Sequence, residues 1–302
     1  MRILISGASG LIGTALQEQL VRRGDDVVTL VRPSTHPAQT THVAWDPSVS
    51  FIDGDALERE GPFDAVVHLA GAGIADKRWT SARKAEILSS RTSSTELLAS
   101  ALCELSTRPE VFVSGSAIGI YGSRGDEILD EASTSGEGFL ADVCRSWEAA
   151  ASPAVDAGIR CAFARTGIVL ATSGGALAKQ LPLFRLGLGG QLSSGRQWLS
   201  WISLDDEIRA LLALIDSRSY SGPINLTAPE PVTNAQFTKE LGHALNRPSL
   251  FRVPAPALKL ALGGELVDEA LLASQRVLPR VLLEQGFVFS HSTLSGALAA
   301  LV

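Results

Sequence analysis

The stretch ISGASGLIGTAL, residues 5–16, sets glycines at positions 7, 10 and 13 between an apolar run and a helix-forming run. That pattern suits phosphate chemistry. Gly7 permits a tight turn, Gly10 lets a pyrophosphate approach the backbone, and Gly13 lets the helix sit close to the strand before it. The helix amino end, with Ser9, Leu11 and Ile12 around the turn, offers free N–H groups and a partial positive charge to an anion. The spacing predicts a dinucleotide site, with a merely structural tight turn as the alternative. The next strand-like run ends TLVRP and places Arg32 where an acidic residue would accept hydrogen bonds from an adenosine ribose. A guanidinium there suits a 2′-phosphate instead. The reading is NADP(H) in preference to NAD(H), and a solvated arginine is the alternative.

A second stretch stands out for what it lacks. GFLADVCRSWEAA, residues 138–150, has a helical pattern and no group that readily moves a proton. Groups that could act in its place are Tyr121, Lys77, Arg78 and Arg145, each also readable as a packed aromatic or a solvated charge. His68 sits inside a strand-like run, while His36, His42, His243 and His291 form no spaced cluster, so no metal site is expected. The segment GIADKRWTSARK is basic, which fits either an acidic or phosphorylated ligand or an exposed helix start.

The elements that must position these groups alternate. Strand-like RILIS, DVVTLVR, THVAW, DAVVHLA, EVFVSGS and RCAFARTGIVL are interleaved with helix-like GLIGTALQEQLVRRG, SARKAEILSSRTSSTELLASALCEL and FLADVCRSWEAAASPAVDAG. Short buried strands alternating with helices imply a doubly wound parallel sheet, a Rossmann-like α/β fold. The expected division is a dinucleotide-binding domain over 1–170 together with 200–228. A smaller, mainly helical domain would take 171–199 and 229–302 and pack over the carboxyl edge of the sheet.

Composition bounds the function. The 302 residues are 45% hydrophobic and carry a net charge of −6, which argues against nucleic acid or an anionic membrane as partner. Three cysteines without metal-type spacing read as reduced thiols, and no long apolar run suggests a span or signal core, so a cytoplasmic protein is expected. Oligomeric state is not readable.

With these residues in hand, the chain resembles the extended short-chain dehydrogenase/reductases, the group of nucleotide-sugar epimerases and dehydratases. GASGLIG matches that group's glycine motif, and DAVVHLAGAG its fourth strand. VFVSGSAIGIYG is similar to the strand bearing its active-site serine. HLAGAGIADKRWTSARKAEILSSR, FLADVCRSWE, GGQLSSGRQWLSWISLDD, PVTNAQFTKELGHALNRP and LLASQRVLPRVLLEQGFVF are similar to an atypical epimerase-like branch with a C-terminal domain of unknown function. The resemblance implies that Leu69, Ala70, Gly71 and Ser114 line the cofactor, that Arg91 is a candidate contact to its phosphate or ribose, with an ordinary surface arginine as the alternative, and that Ser116 is the active-site serine. It also implies a helix carrying Tyr, three residues, then Lys, often followed by Glu four residues later. Anchored on Glu148, those positions hold Leu140 and Cys144; shifted by one, Phe139 and Val143. Two functions are therefore open. One is an oxidoreductase or epimerase-like enzyme acting on a small carbonyl or hydroxyl compound, with Ser116 and Tyr121 as its catalytic candidates. The other is a dinucleotide-binding sensor or scaffold without turnover.

Overall fold

The structure is a computed structural model and describes residues 1–33 and 41–302. His36 lies outside the described residues.

Eight strands form the central sheet: β1 (Arg2–Ser6), β2 (Asp26–Val31), β3 (Thr41–Asp46), β4 (Phe51–Ile52), β5 (Ala65–His68), β6 (Val111–Ala117), β7 (Arg160–Thr166) and β8 (Gly222–Leu226). Their order is β8-β7-β6-β5-β1-β2-β3-β4. Every pairing is parallel except β3 with β4. The apolar runs explain this arrangement. Ile3, Ile5, Ala65 and Val67 face one core, while Leu4, Val66 and Phe112 face the other, so successive residues bury on opposite faces.

Helices cover both faces. α1 (Leu11–Arg23) closes the first face with Leu16 and Leu20, and α2 (Ser81–Glu104) closes the second with Leu98, Ala99 and Leu102. α1 stops where Gly24 takes a left-handed conformation at φ 87°, with Arg22 and Arg23 in the last turn facing the helix carbonyl end. The helical pattern predicted as one run after residue 138 is two helices: α3 (Phe139–Ala149), then a short Ser152–Asp156 helix with Pro153 in its first turn. The RCAFARTGIVL run also divides. A Cβ on Gly167 would sit 2.7 Å from the Ser200 carbonyl oxygen, so only glycine fits between the two strand segments. Ile168–Leu170 then leaves the sheet to pair with Trp201–Ser203.

The remainder builds a third core from α4 (Gly175–Arg185), α6 (Asn234–Ala244) and α7 (Leu294–Leu301). Leu177, Leu181, Phe184, Phe237, Leu241, Leu294 and Leu298 meet there around Trp201. Among the described residues no helix is long and apolar enough to cross a membrane.

Between α4 and α6, α5 (Leu204–Asp216) returns to the first face of the sheet with Ile208, Leu211 and Leu214. Ser203 caps it, and three acids occupy its first turn. Asp206 is fully buried and ties down the distant C-terminal segment. Its carboxylate accepts from the Ser290 and His291 backbone N–H groups at 2.7 and 2.9 Å and from Arg209 at 2.9 Å. Glu207 is also fully buried, but among the described residues it accepts only from the Thr166 hydroxyl, at 2.8 Å, and its second oxygen has no partner.

Burial pushes the Glu207 carboxyl up to about 8, so it is mostly protonated at neutral pH. The folded pKa lies above the unfolded one, so the folded state holds an extra proton between the two. Stability is therefore highest below the unfolded pKa and falls as pH rises through about 8. Glu207→Gln is expected to remove this slope and to be more stable than the wild type at pH 8.5, by about 1–3 kcal/mol. Urea unfolding at pH 5.5 and 8.5 checks this; equal slopes in the two proteins contradict it.

Candidate functional site

The sheet order reverses at β1, whose neighbours β2 and β5 are reached by connections running in opposite directions. This opens a crevice at the carboxyl ends of β1 and β5, the usual ligand position in such sheets. The glycine turn lies in it. Gly7 has φ 72°, and a Cβ there would come within 2.8 Å of the Leu69 and Ala70 backbone. A Cβ on Gly13 would sit 2.2 Å from the Gly7 carbonyl oxygen. Gly10 differs: its Cβ would meet only that same oxygen, at 3.4 Å, and otherwise point into open space. Ser9 and Gly10 are exposed, and no side chain caps α1. The first turn of α1, including Leu11 and Ile12, therefore presents its N–H groups to the crevice. These residues fit a pyrophosphate.

The crevice walls are held by a buried histidine. His68 stands between Ser6 and Ser114 in the strand register. Its Nδ1 lies 2.6 Å from the Ser6 hydroxyl and its Nε2 3.1 Å from the Ser94 hydroxyl on α2. The Ser94 proton points at the Ser90 carbonyl, 2.7 Å away, so Nε2 carries the hydrogen and Nδ1 accepts from Ser6. Burial pushes His68 down to about 3 and keeps it neutral.

Arg32 is exposed at the end of β2. Nearby Asp46 is held below the ordinary carboxylate range, first by hydrogen bonds from Ser48 and also by the Arg32 charge. On the other side of the crevice, Leu69, Ala70 and Gly71 form the wall after β5. The Arg91 guanidinium reaches it from α2, donating to the carbonyls of Ala72 and Ile87 at 3.0 Å each. Ser114 is fully buried beneath.

The structure places the catalytic candidates in one hydrogen-bonded network. Ser116 pairs in register with Arg165 on β7, and Arg165 with Asn225 on β8. The Ser116 hydroxyl donates to Glu148 at 2.7 Å. Arg165 grips both Glu148 oxygens, at 2.8 and 2.9 Å, and donates to the Tyr121 hydroxyl at 2.9 Å. Tyr121 in turn donates to Asn225 at 2.8 Å. Burial works to lower the Arg165 pKa, but the Glu148 carboxylate overrides it and raises it. Tyr121 is fully buried, and burial raises its pKa despite the facing Arg165. On α3, Cys144 is buried, and burial together with the Glu148 charge pushes its thiol up to about 12.

The basic groups near the crevice make local contacts. Arg78 donates to the carbonyls of Leu260 and Ala261, Lys84 pairs with Glu265, and Arg145 donates to the Gly136 carbonyl at 2.7 Å. The amino end of α3 has no cap of its own. Instead, the Glu269 carboxylate accepts from Phe139 and Leu140 N–H at 3.0 and 2.8 Å. Sequence reasoning did not find Arg165, Asn225, Glu207 or Glu269 as parts of this region. Only the strand order brings the first two beside Ser116.

Comparison with known proteins bears on the family and the fold. The NAD-dependent epimerase/dehydratase family model matches residues 3–141, and a domain of unknown function, DUF1731, matches 253–301. An epimerase family protein of Mycobacterium bovis is 44% identical over 98% of this chain and 96% of its own length. A crystal structure of human epimerase family protein SDR39U1 (isoform 2) with NADPH superposes with TM-score 0.89 at 33% identity, covering 100% of this chain and 99% of that one. A nucleoside-diphosphate sugar epimerase from Corynebacterium glutamicum gives TM-score 0.78 at 38% identity, over 99% of this chain and 57% of that one. The chain therefore belongs to the NAD-dependent epimerase/dehydratase family, with SDR39U1-like epimerase family proteins among its relatives and a DUF1731 domain at residues 253–301.

Proposed function

We propose that this chain binds NADP(H) across the crevice, with the 2′-phosphate at Arg32 and the pyrophosphate over the amino end of α1. One observation carries the reading. Of the three glycines in the turn, only Gly10 faces open space, directly above an uncapped helix start. NADPH in the human SDR39U1 structure supports it. When bound, the cofactor supplies a hydride donor or acceptor; this chain's residues bind and orient it.

The geometry favours binding without Tyr–Lys proton transfer. Leu140 and Cys144 hold the usual positions. Ser116 and Tyr121 each donate to a neighbour within the protein, half-buried Glu148 and buried Asn225. A second reading is an oxidoreductase or epimerase-like enzyme acting on a small carbonyl or hydroxyl compound. It draws on the 38% identity to the C. glutamicum protein, whose name is that of a sugar epimerase.

Gly10→Val is expected to keep its fold, because the new side chain enters open space at an extended backbone position with φ −79°. NADPH affinity should fall more than about a hundredfold, ~2.7 kcal/mol; unchanged affinity in a fluorescence titration would place the cofactor elsewhere. Arg32→Ala should weaken NADPH about ten- to a hundredfold, leave NADH nearly unchanged, and lower the salt sensitivity of NADPH binding. Equal wild-type affinities for the two cofactors at low salt contradict the assignment. In a screen of aldehydes, ketones and nucleotide sugars, NADPH consumption should stay at background. Sustained consumption that Ser116→Ala reduces about tenfold or more would establish the second reading.

A further inference from the structure

We propose that one edge of the C-terminal half docks on an anionic membrane surface, through exposed leucines flanked by unpaired arginines. This edge lies outside the crevice and does not depend on the cofactor. It begins where α4 ends. Gly187 takes a left-handed conformation at φ 71°, and the N–H groups of Gly187 and Leu188 donate to the carbonyls of Phe184 and Leu183, at 2.9 Å each. Phe184 turns into the third core. Leu183, Leu186 and Leu188 stay outside, each more than half exposed, with Leu186 at 71%. A turn of this kind usually shelters the side chains at the Leu183 and Leu188 positions against each other, and here both remain open. The chain then pairs Gly190–Leu192 with Phe251–Val253. That pairing brings up Phe251, also more than half exposed, and Leu250, which is 90% exposed. A Cβ on Gly187 would meet the Pro248 ring at 3.5 Å, and Arg247 donates to the Arg185 carbonyl at 2.9 Å, so the two segments make one continuous surface. Single apolar side chains on a surface are ordinary, whereas a cluster of them beside charged groups marks a binding face.

Charge selects the occupant. The segments that build this edge, residues 171–204 and 241–264, contain no aspartate or glutamate. They carry Lys179, Arg185, Arg196, Arg247, Arg252 and Lys259, in a chain whose net charge is −6. Lys179 and Lys259 pair with Asp76 and Asp268, which come from other segments. Arg185, Arg247 and Arg252 are exposed and have no acidic partner among the described residues. A negative total argues against an anionic surface only where charge is spread evenly, and here the local sign is reversed. A second copy is a poor occupant, because a self-complementary contact through this face would set cations against cations. A protein partner would need a matching pocket for each projecting side chain, while a fluid interface receives them wherever they fall. Leucines projecting beside guanidiniums suit such an interface. The apolar tips enter the acyl boundary and the guanidiniums stay at the headgroup phosphates.

Flotation of the full chain with lipid vesicles tests this. The wild type should bind phosphatidylcholine vesicles containing about 30% phosphatidylglycerol at least about tenfold more tightly than vesicles of phosphatidylcholine alone. The preference should shrink as salt rises from about 0.05 to about 0.5 M. The double variant Leu186→Ser, Leu250→Ser and the double variant Arg185→Gln, Arg252→Gln should each bind the anionic vesicles about tenfold more weakly or worse. Val49→Ser, at an exposed position between β3 and β4 on the far edge of the sheet, should match the wild type. All these changes replace exposed side chains, so circular dichroism and melting temperature should stay at wild-type values. No binding to the anionic vesicles, equal binding to the neutral ones, or double variants that bind as the wild type does would each overturn the proposal. Binding to soluble poly-glutamate as tight as to the vesicles and indifferent to the leucine changes would mean that charge alone is recognised, and would overturn it too. So would dimerisation in analytical ultracentrifugation that the leucine changes abolish, without vesicle binding, which would assign the face to a second copy.

Discussion

The backbone of Gly7 lies against the backbone of Leu69 and Ala70, closer than any side chain allows. The rest of the site depends on that contact. It sets the distance between the ends of β1 and β5, and so the width of the crevice. It also aims α1, because Gly13 must approach the Gly7 carbonyl in turn. A neutral imidazole reinforces the contact from below. By accepting from Ser6 and donating to Ser94, His68 joins the strand that precedes the turn to the helix that carries Arg91. An imidazolium could not accept from Ser6, and burial, which keeps His68 neutral, preserves that acceptor.

Beyond the crevice, the polar groups at the ends of β6, β7 and β8 satisfy one another. A half-buried carboxylate and a buried guanidinium that meet in two hydrogen bonds offset much of their desolvation. Glu148 and Arg165 also use the hydroxyls of Ser116 and Tyr121 to complete their coordination. The arrangement orders the carboxyl edge of the sheet. It draws together the residues whose chemistry looks most catalytic when they are read one at a time.

The glycine turn was legible in the sequence because its information is local: a strand end, three spaced glycines and a helix start are adjacent in the chain. The parallel sheet was legible from repeated apolar runs. The network was not. Ser116, Arg165 and Asn225 come from three separate strands, and only the order β6-β7-β8 puts them side by side. Glu207 escaped for another reason. An acid in the first turn of an amphipathic helix reads as a favourable partner of the helix dipole, and its burial beside Thr166 comes from how α5 docks on the sheet. The division of RCAFARTGIVL at Gly167 was hidden likewise, since the partner of Ile168–Leu170 is the distant Trp201–Ser203 segment.

The carboxylate of Glu269 caps α3, which belongs to the other half of the molecule. The exchange is mutual: Ile128–Leu129 pairs with Arg276–Val277, and Asp206 holds Ser290 and His291. The two family models stop at residue 141 and resume at 253, as though two modules had been joined. The hydrogen bonds recognise no such seam. Without the Glu269 carboxylate the first N–H groups of α3 would have no side-chain acceptor, so the C-terminal segment completes a helix it does not contain.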